Sequence, residues 1–361
     1  MNRNKYLKIV CLFMMSVVLT LSGCNNGQEG TSGTQANSQM TSESESQEGS
    51  SSSAKYNIFD RALVEGKLCV YYLCSGNDLP TWTGTSVQGG DSILFILPDG
   101  TTILNDCGHQ AEGASIVDKL QKLGIEKLDY LILSHPHGDH IGGFSIINRY
   151  IEIGQIYLPP EEVMARAEAT GVDFMKQIKA QNIPYTYVSE GDVLTFGEGI
   201  TAKFYNPPIG FGTDTNINLN ESSLVWKLTY GKSSYMLTGD IGNNPDYGYK
   251  TEDALVEKYG DELQADVSKV GHHGSDKTKS SELWREKVDA KIYVATTPYV
   301  RDEVEHFKNV LTGALALTTA LDGDILIATS GDGTYEVYVS MDRTTDYYGT
   351  TGTVDGHVRV E

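Results

Sequence analysis

Three histidines and one aspartate fall within six consecutive residues, at positions 135–140. They follow an apolar run at 128–134, which predicts a buried strand that ends at the cluster. In such a turn His135 and His137 can direct their rings at one ion, while Asp139 and His140 serve a second ion beside it. Because the chain has only 8 histidines, this grouping favours a metal site over a polar surface loop. Two ligands for each ion do not complete a metal site, so we expect further ligands to come to this loop from distant segments of the chain.

The N-terminus has the order of an export signal. Three basic residues precede an apolar stretch at 9–21, which is short for a bilayer span, and small residues then lead to Cys24. The run Leu-Ser-Gly-Cys resembles a bacterial lipobox, in which the cysteine is lipidated and becomes the new N-terminus. We therefore predict a lipoprotein signal peptide at 1–23 and a chain anchored to the cell membrane through Cys24, facing outside the cytoplasm. The alternatives are an uncleaved anchor or a plain signal peptide.

Composition separates a tether from a folded domain. Residues 24–55 are mostly Ser, Gly, Gln, Glu, Thr and Asn, which bury too little apolar surface to offset their ordering entropy. We predict a flexible tether there and a single folded domain at 56–361. The formal net charge is −20, and removal of the signal peptide takes away three basic and no acidic residues. Such a charge repels polyanions and disfavours a nucleic-acid substrate.

The folded region alternates short strand-like segments with amphipathic helical segments. Many strands are separated by hairpin-length turns, so two sheets between helix layers fit this pattern better than one doubly wound sheet. His357 lies in a Gly- and Thr-rich tail, where we expect fraying. The predicted strands are at 67–74, 92–97, 101–105, 128–134, 155–158, 185–188, 200–205, 223–230, 233–237, 266–270, 291–295, 324–328 and 335–339. The predicted helices are at 113–123, from 141 onwards, and at 161–180, 251–259, 280–287 and 303–311.

The pattern His-x-His-x-Asp-His after a strand, followed by two glycines, resembles the signature of the metallo-β-lactamase superfamily. Further motifs follow in the order of that family. Asp106 begins an Asp-Cys-Gly run, Asp240 ends a Leu-Thr-Gly-Asp run, and His272 and His273 stand in a Val-Gly-His-His-Gly-Ser run. The resemblance implies an α/β fold of the four-layer αββα metallo-β-lactamase type and a hydrolase with two divalent metal ions.

Within the superfamily, the chain is most similar to the competence-type, DNA-uptake-protein-like branch. It has Gly-Gly-Asp-Ser at 89–92, Asn-Glu-Ser-Ser at 220–223 and His-His-Gly-Ser at 272–275. The first is a partial match, because that branch has Gly-x-Gly-Asp-Ser, and an insertion at 75–87 separates it from the preceding strand. Phosphorylcholine esterases of bacterial surfaces resemble the chain in architecture and in the late His pair.

The resemblance implies a set of metal ligands. His135 and His137 hold the first metal, Asp139 and His140 hold the second, and the carboxylate of Asp240 bridges both.

The sequence leaves the roles of the remaining candidate ligands open. One of His272 and His273 completes the second site; we favour His273 as the ligand and His272 as a catalytic residue that faces the substrate, although adjacent residues can exchange these roles. The superfamily has a third histidine at the first metal, and this chain has none in that segment. Asn220 stands there instead, His109 is a second candidate donor, and Asp106 is expected to orient the metal loop from beneath.

The donor set also suggests the chemistry. Nitrogen and oxygen ligands without thiolate suit zinc, and iron or manganese fit the same set. Two such ions lower the pKa of a shared water molecule, which can then attack phosphorus or a carbonyl carbon. Asp139 is expected to orient this water and His272 to stabilise the developing negative charge. Candidate substrate contacts are Ser275, Lys277 and Trp82; a solvated loop or simple packing is the alternative for each.

The predicted function is a metal-dependent hydrolase that cleaves a phosphoester or phosphodiester outside the cytoplasm. A nuclease fits the branch, whereas the acidity of the chain favours small or surface-linked phosphodiesters such as phosphorylcholine decorations. A second hypothesis is hydrolysis of a lactam, lactone or thioester carbonyl. A third is a tethered binding protein that retains the fold without turnover.

Overall fold

The computed structural model describes residues 51–53, 56–63, 65–73, 89–275, 278–297, 313–343 and 356–361. Cys24, Trp82, Lys277 and the helix predicted at 303–311 lie outside the described residues. Among the helices described, none combines the length and the apolar character that a membrane crossing needs.

Nine strands of the described chain form the larger sheet. They are β2 (Leu68–Tyr72), β3 (Ile93–Ile96), β4 (Thr102–Asn105), β5 (Lys127–Ile132), β6 (Glu152–Leu158), β7 (Tyr185–Tyr187), β15 (Ile325–Thr329), β16 (Tyr335–Val339) and β18 (His357–Val360). Their spatial order is β18-β16-β15-β2-β3-β4-β5-β6-β7. The neighbours from β18 to β4 pair antiparallel, and those from β4 to β7 pair parallel.

Seven further strands form the second sheet. They are β8 (Val193–Thr195), β9 (Ile200–Asn206), β10 (Val225–Tyr230), β11 (Ser233–Leu237), β12 (Val267–Lys269), β13 (Ile292–Ala295) and β14 (Leu315–Thr318). Their spatial order is β14-β13-β12-β11-β10-β9-β8, with parallel pairing from β11 to β14. A separate short ribbon pairs β1 (Ser51–Ser53) with β17 (Met341–Arg343).

The helices are mostly short. They are α1 (Gly113–Lys122), α2 (Gly138–Ile141), α3 (Phe144–Tyr150), α4 (Glu161–Met164), α5 (Ala169–Ala180), α6 (Thr251–Tyr259), α7 (Glu282–Val288) and α8 (Thr319–Asp322). The single helix predicted at 161–180 is wrong, because the structure divides it into α4 and α5. Between them the Arg166 guanidinium donates to the carbonyl oxygen of Ile217, a tertiary contact that overrides local helix propensity.

Three apolar layers hold these elements together. Ile116, Phe144 and Phe174, from α1, α3 and α5, pack on the outer face of the larger sheet. Phe95 and Trp226 meet between the two sheets, with ring centroids 5.5 Å apart. The outer face of the second sheet is covered by α6 and α7, which contribute Leu255 and Trp284 to the third layer. This arrangement of helices, sheet, sheet and helices confirms the predicted α/β fold, a four-layer αββα sandwich.

The parallel strands position the predicted site. The segments that contain Asp106, the His135–His140 loop, Asp240 and the late His pair follow β4, β5, β11 and β12 respectively. The carboxyl ends of parallel strands in one sheet lie at the same edge, where ligands commonly bind in α/β folds. Both sheets therefore bring their loops to one end of the sandwich.

Two predictions about the ends of the domain are wrong. Ser51–Ser53, assigned by composition to the tether, pair with Met341–Arg343 as strand β1. His357, expected to fray, begins edge strand β18, and its Nε2 lies 2.7 Å from Glu336 Oε2. The serines of β1 have no apolar alternation, because main-chain pairing with an existing strand edge needs no buried side-chain face. In β18 the short alternation of Val358 and Val360, which pack against the layer between the sheets, was the signal that the Gly- and Thr-rich composition obscured.

Lys119 in α1 forms a buried ion pair with Asp324, just before β15, at 2.9 Å. We predict that Lys119→Met lowers the free energy of unfolding by about 3–5 kcal/mol, because it removes one charge of a buried pair. Urea denaturation measures this loss. Metal content should not change, and a loss below about 0.5 kcal/mol would contradict the prediction.

Candidate metal centre

Asp240 lies at the centre of an imidazole cluster and is fully buried. Its Oδ2 atom is 3.1 Å from the Nε2 of His140 and 3.5 Å from that of His273. The corresponding distances are 3.7 Å to His272 and 3.8 Å to His135. One carboxylate oxygen thus faces four imidazole nitrogens contributed by two distant loops.

His135 and His137 form one side of the cluster. The Nε2 atom of His135 lies 3.0 Å from the Nδ1 atom of His137. Two ligand atoms that each lie about 2.0–2.1 Å from the same zinc ion are separated from each other by a distance close to that between these two nitrogens. These two nitrogens are therefore spaced to share one ion, with the Asp240 carboxylate beside them.

The other side of the cluster is a compact group of four residues. Asp139, His140, Asp240 and His273 each offer one ligand atom, and these atoms all lie within 4.8 Å of one another. His273 Nε2 is 3.6 Å from Asp139 Oδ2, and His140 Nε2 is 3.9 Å from Asp139 Oδ1. This group contains every residue that the sequence assigned to the second metal, including the favoured His273.

Atoms without hydrogen-bond partners test whether cations fit this cavity. Within the described residues, the buried Nε2 atom of His273 and the Oδ1 atoms of Asp240 and Asn220 accept or donate no hydrogen bond. A buried polar atom without a partner costs free energy, and metal ligation removes that cost. The donor set fits two divalent ions with nitrogen and oxygen ligands, of which zinc is one.

The serines around His135 fix which nitrogen carries its hydrogen. Ser134 Oγ donates to Asp106 Oδ2 at 2.6 Å, and Ser223 Oγ donates to the Asn220 carbonyl at 2.7 Å. Both hydroxyl hydrogens are therefore used. The two hydroxyl oxygens lie 3.1 and 3.2 Å from His135 Nδ1, which must donate to them. Its Nε2 lone pair is left for a metal ion.

Asp106 orients His140 in the same way. Asp106 Oδ2 lies 2.9 Å from His140 Nδ1, while Asp106 Oδ1 accepts the backbone N–H of Ser134 at 2.7 Å. Nδ1 donates to this carboxylate, so Nε2 faces Asp240. The contacts place Asp106 beneath the metal loop, where the sequence led us to expect it.

His272 and His273 both face Asp240 Oδ2, but they have different partners. The Nε2 atom of His272 is 3.4 Å from Asn220 Nδ2, and its Nδ1 atom faces Thr278 Oγ1 and the Tyr249 hydroxyl. The rings of Tyr249 and His272 are stacked, with centroids 5.8 Å apart. His272 is also partly exposed, with 23 % of its side chain accessible. It therefore borders both the cluster and the solvent-facing side.

Two other predicted residues have mainly local contacts. His109 caps a short 3₁₀ helix, because its Nδ1 accepts the backbone N–H of Ala111 at 3.3 Å. Ser275 is half-buried, and its backbone bonds to His272 and Thr278 close the turn after the late His pair. These contacts give His109 a capping role in place of the donor role suggested by the sequence.

The charged groups of the cluster strongly shift one another's pKa values. Burial alone would raise the pKa of Asp240, but His140 and His273 outweigh it and hold that pKa well below its usual value. Burial would lower the pKa of His140, but Asp240 and Asp106 raise it well above normal. For His135, burial prevails and lowers the pKa. The same nitrogens can hold protons or a metal ion, so metal binding releases protons.

The backbone is strained or tightly packed at the ligand loops. Asp106, His272 and His273 adopt positive φ values of 61°, 44° and 57°, a conformation that costs non-glycine residues free energy and clusters at functional sites. A Cβ atom on Gly143 would lie 2.1 Å from the Cys107 carbonyl oxygen, whereas one on Gly138 would meet nothing nearer than 3.9 Å. Close approach thus requires glycine at 143 but not at 138.

Sequence reasoning missed several residues that support the site. Asp91 and Lys269 form a buried ion pair beside His273. Glu221 accepts hydrogen bonds from the backbone N–H groups of Gly242 and Thr251 and so braces the loop after Asp240. Asp91 and Glu221 lie inside the motifs quoted above, and Lys269 directly precedes the Val-Gly-His-His-Gly-Ser run, so these motifs could have singled them out.

We predict that Asp106→Asn weakens metal affinity roughly 10- to 100-fold, because an amide cannot replace the carboxylate that accepts from both Ser134 and His140. Competition with a chromophoric zinc chelator measures the affinity. Asp99→Asn, in the exposed turn between β3 and β4, is the matched control and should bind metal normally. Equal affinities for the two variants would refute this role of Asp106.

Part of the folded region is similar to known proteins. Residues 87–295 match the metallo-beta-lactamase superfamily. Competence protein ComA of Neisseria gonorrhoeae is 30 % identical over 198 residues, which are 55 % of this chain and 24 % of ComA. ComE operon protein 3 of Bacillus subtilis is 29 % identical over 160 residues, 44 % of this chain and 19 % of that protein. The chain thus spans a quarter or less of the length of these relatives.

Among solved structures, the metallo-beta-lactamase fold protein YhfI of Bacillus subtilis aligns with a TM-score of 0.45 and 15 % identity. The alignment covers 69 % of this chain and 96 % of YhfI. The superfamily match covers more than half of the chain, including all the motifs from Asp91 to His273. This chain therefore belongs to the metallo-beta-lactamase superfamily and has a competence-protein-like hydrolase domain.

Proposed function

We propose that this metal-dependent hydrolase cleaves phosphodiesters outside the cytoplasm. The observation that carries the proposal is the convergence of four imidazole Nε2 atoms on Asp240 Oδ2, at 3.1 to 3.8 Å. His135, His137 and Asp240 would hold one ion, and Asp139, His140, His273 and Asp240 the other. When bound, such a pair of ions activates a shared water molecule and neutralises charge on the substrate oxygens.

The protein itself supplies orientation and hydrogen-bond donors. Asp139 is half-buried and lies between His140 and His273, where its carboxylate can accept a hydrogen from the attacking water. His272 and Asn220 meet beside Asp240 and can donate to substrate oxygens. Because these groups are held in place before the reaction, they need no reorganisation as charge develops.

Phosphorus fits this donor arrangement better than a carbonyl carbon. Attack on a carbonyl develops charge on one oxygen, whereas attack on a phosphodiester develops charge on the two nonbridging oxygens of the phosphorus. His272 and Asn220 add donors beside Asp240. The absent third histidine and the late His-His-Gly-Ser run also distinguish the chain from the carbonyl-hydrolase pattern.

Net charge and the predicted anchor suggest the size and place of the substrate. The formal charge of −20 repels long polyanions and favours small or surface-linked phosphodiesters over nucleic acid. Lipidation at Cys24 would keep the domain at the outer face of the membrane. Trp82 in the 75–87 insertion is a candidate contact for a choline-like cation, and Lys277 and Ser275 are candidates for the phosphate.

A substrate panel tests this proposal. The full chain, purified in mild detergent with zinc, iron or manganese, is assayed with bis-p-nitrophenyl phosphate, p-nitrophenyl phosphorylcholine, single-stranded DNA and nitrocefin. We predict cleavage of the small phosphodiesters, loss of that activity after chelation, and recovery on adding metal. Asp240→Ala should abolish both metal retention and turnover, because it removes the carboxylate that both ions share.

Each other outcome has a defined meaning. Turnover of nitrocefin alone would make the chain a carbonyl hydrolase, and rapid cleavage of DNA would make it a nuclease. Full metal occupancy without turnover on the panel would favour a tethered binding protein. Activity that survives Asp240→Ala would contradict the mechanism.

His272 provides a second test of the site. We predict that His272→Ala lowers kcat for bis-p-nitrophenyl phosphate while the chain keeps both ions, because His272 contacts the substrate and does not hold the metal. Metal analysis by inductively coupled plasma mass spectrometry accompanies the kinetics, and Tyr247→Phe, at an exposed tyrosine, serves as the control that should keep both kcat and metal content. Loss of one ion in His272→Ala would instead place this residue among the ligands of the first metal.

A further inference from the structure

Asp91 and Lys269 form an ion pair in the interior of the protein. Asp91 Oδ2 lies 2.9 Å from Lys269 Nζ, and their side chains are 0 % and 1 % exposed. Removing two charges from water costs free energy that their attraction does not always repay, so a buried pair is weak evidence for a stabilising role. The contacts of this pair indicate a different role.

Lys269 links the two loops that hold the predicted ligands. Its ammonium group donates to the carbonyl oxygens of Gly239, at 2.8 Å, and Val270, at 2.9 Å. Its contact with Asp91 is an ion pair and not a third hydrogen bond, because Asp91 Oδ2 has no hydrogen-bond partner among the described residues. Lys269 Nζ also lies 3.9 Å from Asp240 Oδ1. It therefore fixes the backbone directly before Asp240.

Asp91 acts on His273. Its Oδ1 atom lies 3.2 Å from His273 Nδ1 and also accepts from the hydroxyl of Thr296. The carbonyl oxygen of Thr296 faces the same His273 nitrogen at 2.9 Å. Because two acceptors face Nδ1, this nitrogen carries the hydrogen, and the lone pair is on Nε2. That Nε2 points at the carboxylates of Asp139 and Asp240.

We propose that the Asp91–Lys269 pair is a positioning unit for the second metal ion. Asp91 contacts the ring of His273 directly and also holds Thr296, whose carbonyl oxygen accepts the Nδ1 hydrogen, while Lys269 balances the charge of Asp91 and holds the Gly239 carbonyl ahead of Asp240. One ion pair thereby orients two ligands from different loops. The proposal rests on the metal centre of the proposed function, but not on the phosphodiester substrate.

The Lys119–Asp324 pair is a matched control within the same protein. It has the same 2.9 Å separation, with side chains 4 % and 9 % exposed. Its residues lie in α1 and directly before β15, outside the motifs that supply predicted ligands. A purely structural ion pair should behave as this pair does when it is changed.

The experiment uses the full chain in mild detergent with Asp91→Asn, Lys269→Met, the double variant and Lys119→Met. Zinc affinity is measured by chelator competition and stoichiometry by mass spectrometry. The ¹⁵N resonances of His273, assigned by their loss in His273→Gln, report which ring nitrogen carries the hydrogen. We expect at least about tenfold weaker binding of the second ion in Asp91→Asn and Lys269→Met, and wild-type affinity in Lys119→Met.

The double variant separates positioning from stability. Removing both charges avoids an unbalanced buried charge, so its unfolding midpoint should return toward that of the wild type. The affinity for the second ion should stay weak, and the His273 resonances should shift, because the carboxylate beside Nδ1 is gone and only the Thr296 carbonyl still accepts its hydrogen. Wild-type affinity with an unchanged His273 spectrum in the double variant would overturn the proposal.

Metal binding is measured without substrate, so failure of the phosphodiesterase assay leaves this result intact. A wild-type chain that holds no second ion would overturn the proposal together with the metal centre.

Discussion

The structure depends on one requirement: the carboxylate of Asp240 and four imidazoles occupy a cavity in which their charges and lone pairs need a cation. Asp240 Oδ2 is within 3.8 Å of every one of these Nε2 atoms, and Asp240 Oδ1 accepts no hydrogen bond among the described residues. In a buried site such unpaired acceptors are costly. Two divalent ions would satisfy them, and the residues around the cavity hold these side chains in position.

The residues around the cavity determine which ring nitrogen of each histidine carries the hydrogen. Ser134 and Ser223 direct the Nδ1 hydrogen of His135 away from the cavity, and Asp106 does the same for His140. The Thr296 carbonyl and Asp91 do so for His273. In each case the outer partner lies on a strand or at its end, so the ligand orientation is set by the rigid part of the sandwich. The positive φ values of Asp106, His272 and His273 are part of the cost of this arrangement.

Much of the site could be predicted from local sequence. Spacing alone identifies His135, His137, Asp139 and His140, because a metal loop is contiguous in the chain. Asp240 and the late His pair needed the resemblance to a family, since no periodicity brings the ends of β11 and β12 to that loop. The four-layer architecture followed from strand and helix alternation together with the same resemblance.

Other features depend on tertiary contacts that a local pattern does not encode. The break at 165–168 follows from the Arg166 contact with Ile217, and strands β1 and β18 form by pairing with existing edges. Asp91 reaches Lys269 and His273 only when the two sheets pack together. A carboxylate in a Gly-Gly-Asp-Ser run has many local interpretations, and only the fold reveals its partners.

The most direct test of the central claim is a crystal structure of the zinc-loaded chain with anomalous difference maps recorded on both sides of the zinc absorption edge. The account predicts two peaks about 3.5–4 Å apart, both within bonding distance of the Asp240 carboxylate, with His273 Nε2 at one of them. No peak at Asp240, or peaks only at surface residues, would contradict it.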